Sequence, residues 1–218
     1  MRAAGSKSIT VLLVDDHPVV RDGYRRLMET EPNIKVVAEA NDGETGCVHY
    51  AKYAPDVVIL DLSMPGIGGL ETIRRIKAQD ANARILVFSM HGSETMIQRA
   101  LEAGATGYLT KQSGMGQMVK AVREVARGEP FIDAAYAPGM AGRKVSTSHE
   151  DPLHALSTRE FQLFKLLAEG YSISEIAAIL CISPKTVGVH HTNIMKKLGF
   201  QNNAQIVRLA LRCNVIEP

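Results

Sequence analysis

The chain has 218 residues, 45% of them apolar, with 25 Lys and Arg against 23 Asp and Glu. That balance excludes a disordered or coiled-coil chain, and the length suits one domain of roughly 120 residues plus a smaller one. No apolar run approaches the ~20 residues that cross a bilayer, so no membrane association is expected. Cys47, Cys181 and Cys213 are odd in number and far apart, which argues against a disulfide framework or a zinc site and makes a cytoplasmic location the simplest expectation.

After a short tail (1–8), residues 9–127 alternate short apolar runs rich in β-branched residues with amphipathic segments of helical period. The expected strands are Thr10–Val14, Ile34–Ala38, Val57–Leu60, Ile85–Phe88 and Thr106–Leu109, interleaved with helical segments such as Ile67–Ile76 and Met96–Ala103. This rhythm predicts an α/β fold, a doubly wound five-stranded parallel sheet. Residues 128–152, with three Gly, three Pro and a polar run, read as a linker. From 153 to 218 only helical patterns remain: Thr158–Ala168, Ile173–Leu180, Lys185–Leu198 and Asn203–Cys213. This small all-α unit holds seven basic and four acidic residues, a balance that permits a polyanionic partner.

Ligands of an open parallel sheet sit beyond the carboxyl ends of its strands. There the sequence places Asp15 and Asp16, Asp61, Ser89 and, after one Thr, Lys111. Three crowded carboxylates repel unless a cation joins them, and a hard divalent ion, Mg²⁺ above all, suits oxygen ligands. Asp61 is then placed to attack phosphorus, with Lys111 and Ser89 compensating negative charge on the transferred group. Taken singly, each aspartate also fits a helix N-cap, Lys111 a solvated lysine and Ser89 a turn residue. His17, beside Pro18, reads as a cap or surface residue, and His49 and His91 receive no role.

Val14-Asp15-Asp16-His17-Pro18, Leu60-Asp61-Leu62-Ser63-Met64-Pro65-Gly66, Ser89 and Gly107-Tyr108-Leu109-Thr110-Lys111 resemble, in order and spacing, the flavodoxin-like receiver domain of two-component response regulators. The resemblance implies that Asp61 is phosphorylated by a histidine kinase. It further implies that Asp15, Asp16, Asp61 and the backbone carbonyl of Ser63 hold Mg²⁺, and that Lys111 pairs with the phosphoryl group. Ser89 and Tyr108 would form a switch pair, Tyr108 rotating inward as Ser89 is drawn to the phosphate. Ser63 and Met90, beside the pocket, would tune the lifetime of the phosphoryl group.

In the second unit, Ile173 to Leu198 gives two helix patterns separated by Cys181-Ile182-Ser183, which is helix-turn-helix spacing. On the second helix Val187, His191, Ile194 and Leu198 share an inward face, while Lys185, Val189, Thr192 and Lys196 face outward. A plain helical bundle with a solvated face fits that periodicity equally well. The residues Leu156-Ser157-Thr158-Arg159-Glu160, Ser172-Ile173-Ser174-Glu175-Ile176-Ala177, Ser183-Pro184-Lys185-Thr186-Val187-Gly188-Val189-His190 and Lys197-Leu198-Gly199 are similar to the LuxR-type DNA-binding domain, and the whole chain resembles the NarL/FixJ family. By that resemblance the helix from Pro184 reads the DNA major groove, with Lys185, Thr186, Gly188, Val189, His190, Thr192, Asn193 and Lys196 as candidate contacts. The last helix, 203–213, would form a homodimer contact on paired half-sites, and the unphosphorylated receiver would mask the DNA-binding unit. Gly188 stands where many members carry a longer polar side chain.

The function expected is a phosphorylation-controlled, DNA-binding transcriptional regulator, not an enzyme beyond its own phosphoryl acceptance and loss. Two rival readings are a Mg²⁺-dependent aspartyl phosphohydrolase and a receiver acting through protein partners alone. The first lacks a second acid near the nucleophile, since Ser63 lies two residues past Asp61. A flavin-binding sheet is disfavoured because the first loop carries two aspartates and no phosphate cradle.

Overall fold

The computed structural model describes residues 8–90, 92–133, 135–136, 152–213 and 215–216. In chain order the first unit comprises β1 (Ile9–Val14), α1 (Pro18–Glu29), β2 (Ile34–Ala40), α2 (Gly43–Tyr53), β3 (Val57–Leu60), α3 (Gly68–Gln79), β4 (Ile85–Ser89), α4 (Glu94–Ala103), β5 (Gly107–Thr110), α5 (Met115–Ala126) and β6 (Phe131–Ile132). All strands pair in parallel in the order β2-β1-β3-β4-β5-β6. Every residue of β3 and β4 is buried, which is why these strands read as continuous runs rather than alternations.

The two-residue strand period divides the core. Val11, Leu13, Val57, Ile59, Leu86, Phe88 and Leu109 form one face with Met28 of α1 and Met118, Val122 and Val125 of α5. The intervening Leu12, Val14, Val58, Leu60, Ile85 and Val87 are equally buried on the other face, where α2 packs against β1 and α3. Helices therefore cover both faces, as the α/β rhythm requires.

The expected five strands are corrected to six. Phe131 and Ile132, inside the stretch read as linker, pair with Gly107 and Tyr108. A two-residue strand has no periodicity to detect, and Gly128 and Pro130 read only as breakers. In the fold Gly128 takes φ +81 after α5, and the chain returns to bury Phe131 at the sheet edge. The rest of that stretch, Ala134 and residues 137–151, lies outside the described residues, as do residues 1–7 of the tail and His91.

The second unit opens with a 3-10 turn (Pro152–Ala155), followed by α6 (Thr158–Ala168), α7 (Ile173–Ile179), α8 (Pro184–Leu198) and α9 (Asn203–Arg212). Each start carries a local signal. Ser157, Ser172 and Asn202 make reciprocal capping boxes with Glu160, Glu175 and Gln205, and Ser183 caps α8 with Pro184 in its first turn. Gly199 ends α8 in the left-handed conformation. Helix α6 packs against α8 and α9, and α7 against α8, around Leu163, Phe164, Ile176, Val187, Ile194 and Ile206, all fully buried.

Buried Glu160 ties this unit together. It accepts from Lys197 Nζ on α8 at 2.6 Å and from the Ser157 N–H at 2.7 Å. Burial pushes its carboxyl up, but Lys197 and Ser157 outweigh this and hold it below the usual glutamate range. A carboxyl lowered on folding stabilises above its unfolded pKa of about 4.3, and that contribution fades as pH falls through the folded value. Glu160→Gln is therefore expected to lower the thermal midpoint at neutral pH, with the gap to wild type closing below about pH 4. A gap that persists unchanged in acid contradicts this assignment.

Candidate functional site

Backbone hydrogen bonds run one residue past the ends of the central strands. The Asp15 N–H donates to Ala40 O (3.1 Å), the Asp61 N–H to Val14 O (2.9 Å) and the Lys111 N–H to Ser89 O (2.8 Å). The ladder thus delivers Asp15, Asp61, Ser89 and Lys111 to one sheet edge. Lys111 Nζ donates to Asp15 Oδ2 and to Asp61 Oδ2, both at 2.7 Å, and lies 5.8 Å from the Phe88 ring centroid. The three side chains are 7%, 9% and 1% exposed for Lys111, Asp15 and Asp61, so the ammonium neutralises two acids that water barely reaches. Burial opposes its charge, but Asp61 and Asp15 outweigh this and hold its pKa above the ordinary lysine value.

Oxygens of Asp15, Asp16 and Asp61 and a ring nitrogen of His17 lie within 4.8 Å of one another, an acidic cluster with the geometry to hold a cation. Desolvation pushes the Asp16 carboxyl up, and Asp61 and Asp15 add to this against an opposing pull from His17. His17 Nδ1 lies 3.0 Å from Asp16 Oδ1 but out of hydrogen-bonding alignment, so that buried oxygen has no hydrogen-bond partner among the described residues. His17 does precede α1, yet its ring makes no capping bond and turns to the acids instead, 3.2 Å from Asp15 Oδ1. His49, on α2, lies edge-on to Tyr53.

The loops around the cluster are fixed from behind. Ser63 N–H donates to Asp61 Oδ1 at 3.1 Å, which places Ser63 in the rim beside the carboxylate. Arg21, which the sequence gave no reason to single out, donates to the Asp15 carbonyl at 2.6 Å while Glu39 of β2 holds its Nε at 3.1 Å. Gly69 lies so close to the Asp61 carbonyl that a Cβ there would collide with it, so the turn out of β3 requires glycine at 69. Met90 is 57% exposed at the mouth of β4.

Register brings Tyr108 and Ser89 together. Tyr108 pairs with Val87 and Thr110 with Ser89, and Leu109 faces the α1/α5 side, so Tyr108 and Ser89 share the opposite face. Both are fully buried, and the Tyr108 hydroxyl is hydrogen-bonded to the Ser89 side chain. Burial pushes the Tyr108 phenol well up, so it stays neutral. The inward position of Tyr108 is the one seen here.

On α8, Val187 and Ile194 are fully buried and His191 and Leu198 half-buried, which is the inward face expected. His191 Nε2 lies 2.8 Å from Asn203 Oδ1 and so joins α8 to α9. Lys185, Thr186, Val189, Thr192, Asn193 and Lys196 are exposed, and Gly188 and His190 are half-buried. The helix continues through Gly188, and a Cβ there would meet open space. Thr186 bonds the Ser183 hydroxyl and Thr192 donates to the Gly188 carbonyl at 3.0 Å, so these two are engaged locally. Cys181, in the turn before α8, takes φ +51, a left-handed conformation uncommon for a residue with a side chain.

No helix among the described residues is long and apolar enough to cross a membrane. Residues 11–123 match the response regulator receiver domain, and residues 154–210 match the luxR family of bacterial regulatory proteins. The chain is 38% identical to the response regulator UvrY of Escherichia coli (strain K12) over 210 residues, covering 94% of this chain and 96% of that one. It is also similar to a structure of RcsB from Salmonella enterica serovar Typhimurium bound to promoter rprA in the presence of the phosphomimetic BeF3- (TM-score 0.66, 27% identity, 93% and 98% of the two chains). A structure of two RcsB dimers bound to two parallel DNAs matches with TM-score 0.59 and 28% identity over 93% and 98% of the chains. This chain belongs to the NarL/FixJ family of two-component response regulators, with a receiver domain followed by a LuxR-type DNA-binding domain.

Proposed function

We propose that Asp61 accepts a phosphoryl group from a histidine kinase and that this controls binding of α8 to promoter DNA in the cytoplasm. The observation that carries the reading is the Asp15–Lys111–Asp61 arrangement, a cation bonded at 2.7 Å to each of two buried carboxylates beside a third, Asp16. An Asp61 oxygen attacks phosphorus in line; the new P–O bond forms as the bond to the donor's leaving group breaks, and the leaving group departs with the electron pair. Lys111 and the Ser89 hydroxyl compensate charge on the phosphoryl oxygens. Movement of Ser89 toward them draws Tyr108, to which it is bonded, and so favours the inward, buried position of the tyrosine over an outward one. The all-oxygen carboxylate set and the unpartnered buried Asp16 oxygen fit Mg²⁺, which Asp15, Asp16, Asp61 and the Ser63 carbonyl would hold. When bound, Mg²⁺ supplies charge neutralisation between the acids and the incoming phosphoryl group.

On DNA, Lys185 and Lys196 would supply attraction to phosphates, and Val189 would offer an apolar side chain to a thymine methyl, a reading supported by its 55% exposure on the outer face. Gly188, Thr186, His190, Thr192 and Asn193 complete the surface. Leu211 on α9, 37% exposed, supports a dimer contact through 203–213, in line with the RcsB dimers on DNA. Lys185→Ala and Lys196→Ala are each expected to reduce the slope of log affinity against log salt by about one, for any DNA sequence. An unchanged slope removes α8 from the interface. The acceptor reading is tested by intact mass after incubation with acetyl phosphate, with and without Mg²⁺. One added phosphoryl group that depends on Mg²⁺ supports it, and an unmodified chain in both conditions overturns it.

A further inference from the structure

The turn that carries Lys111 is closed by a residue from outside the family match. Thr110, buried at the end of β5, and Ser113 flank Lys111 and Gln112, and the Ser113 N–H donates to the Thr110 carbonyl at 3.0 Å. Both hydroxyls converge on Asp133. Thr110 Oγ1 donates to Asp133 Oδ2 at 2.9 Å, and Ser113 Oγ donates to the same oxygen. Each hydroxyl has one proton, so both protons go to the carboxylate, and the 3.0 Å approach of Thr110 Oγ1 to Ser113 Oγ is a consequence of sharing it.

Asp133 is in turn held in place. Its N–H extends the β5–β6 ladder to Tyr108 O at 3.0 Å, and its Oδ1 accepts from the Ala135 N–H at 3.2 Å. Three residues on, Tyr136 donates its N–H to the Asp133 carbonyl at 2.9 Å, and its ring lies where a side chain at Gly92 would otherwise sit. The segment leaving the receiver is therefore fastened to two loops at the phosphoryl edge of the sheet, the one after β5 and the one after β4.

Resting on the acceptor reading above, we propose that Asp133 is a positioning residue for phosphoryl transfer, fixing the Thr110–Ser113 turn so that Lys111 Nζ reaches Asp61. A lysine has four rotatable side-chain bonds, so the placement of its ammonium depends on a fixed backbone. Loss of the Asp133 carboxylate frees two hydroxyls at once and lets the turn relax.

The test compares wild type, Asp133→Ala, Asp133→Asn, Lys111→Ala and the Asp133→Ala/Lys111→Ala pair, full-length, by the rate of phosphoryl uptake from acetyl phosphate with Mg²⁺. Asp133→Ala is expected to slow uptake about tenfold, since small misplacements at a reacting centre are costly. Asn keeps one oxygen able to accept from both hydroxyls, so Asp133→Asn is expected within about threefold of wild type. In the Lys111→Ala background, Asp133→Ala is expected to add less than about twofold, because its effect passes through Lys111. A labelled wild type with Asp133→Ala labelled equally fast overturns this inference alone. So do full additivity with Lys111→Ala and an Asp133→Asn chain as slow as Asp133→Ala. A wild type that takes no phosphoryl group overturns the acceptor reading and this inference with it.

Discussion

Asp61→Ala is expected to abolish phosphoryl uptake, with a loss of at least about a thousandfold, as removal of a nucleophile commonly gives. No neighbour substitutes for it. Asp15 shares Lys111 with Asp61 but is bonded at its backbone on both sides, through Ala40 and Arg21. The same change should leave folding intact or improve it. Asp61 is one of two buried acids on a single ammonium, so its removal strands no charge and Lys111 keeps Asp15 as its partner. Intact mass and a thermal scan on the same sample check both halves. Continued uptake, or a chain that no longer folds, contradicts the assignment.

Lys111→Met is expected to have the opposite effect on stability. Methionine keeps much of the apolar stem near Phe88 but leaves Asp15 and Asp61 buried and facing each other without a cation. Breaking a buried pair on one side typically costs about 3–5 kcal/mol, and here two carboxylates lose their partner. Because folding raises the Lys111 pKa, its contribution is complete below about 10.4 and fades only as pH rises through the folded value. The loss should therefore be constant across neutral pH in the absence of divalent metal, and Mg²⁺ should recover part of it. Phosphoryl uptake should fall about a hundredfold, the usual scale for losing one preorganised charge-stabilising group. Denaturant melts at several pH values, with and without Mg²⁺, measure this, and unchanged stability in metal-free buffer contradicts it.

What the sequence made legible and what it hid follow from the range of the interactions involved. Strand β3, residues 11–14 of β1 and residues 85–88 of β4 are apolar throughout because both faces are covered, and helix starts at Ser157, Ser172, Ser183 and Asn202 are written within four residues, so both were readable locally. The carboxylate site was readable because each acid follows a strand end and parallel topology gathers such ends at one edge. Strand β6 was hidden because two residues carry no period and their pairing partner, β5, lies more than twenty positions away. Arg21, Asp133 and the part that Glu160 plays beyond its capping box were hidden for a related reason. Each looks like an ordinary surface charge, and its importance lies in a contact with the Asp15 carbonyl, the Thr110–Ser113 turn or Lys197 that only the fold creates. His17 was read as a cap or surface residue from its place before Pro18; it is exposed, as the second of these readings has it, and its ring lies beside two aspartates instead of capping α1.

The most direct test of the account is the affinity of the full-length chain for pooled promoter fragments at fixed salt, before and after incubation with acetyl phosphate and Mg²⁺, with Asp61→Ala alongside. The account predicts that wild-type affinity rises as one phosphoryl group is added and that Asp61→Ala is unresponsive. Equal affinity of the phosphorylated and unphosphorylated wild type, or a matching rise in Asp61→Ala, would contradict it.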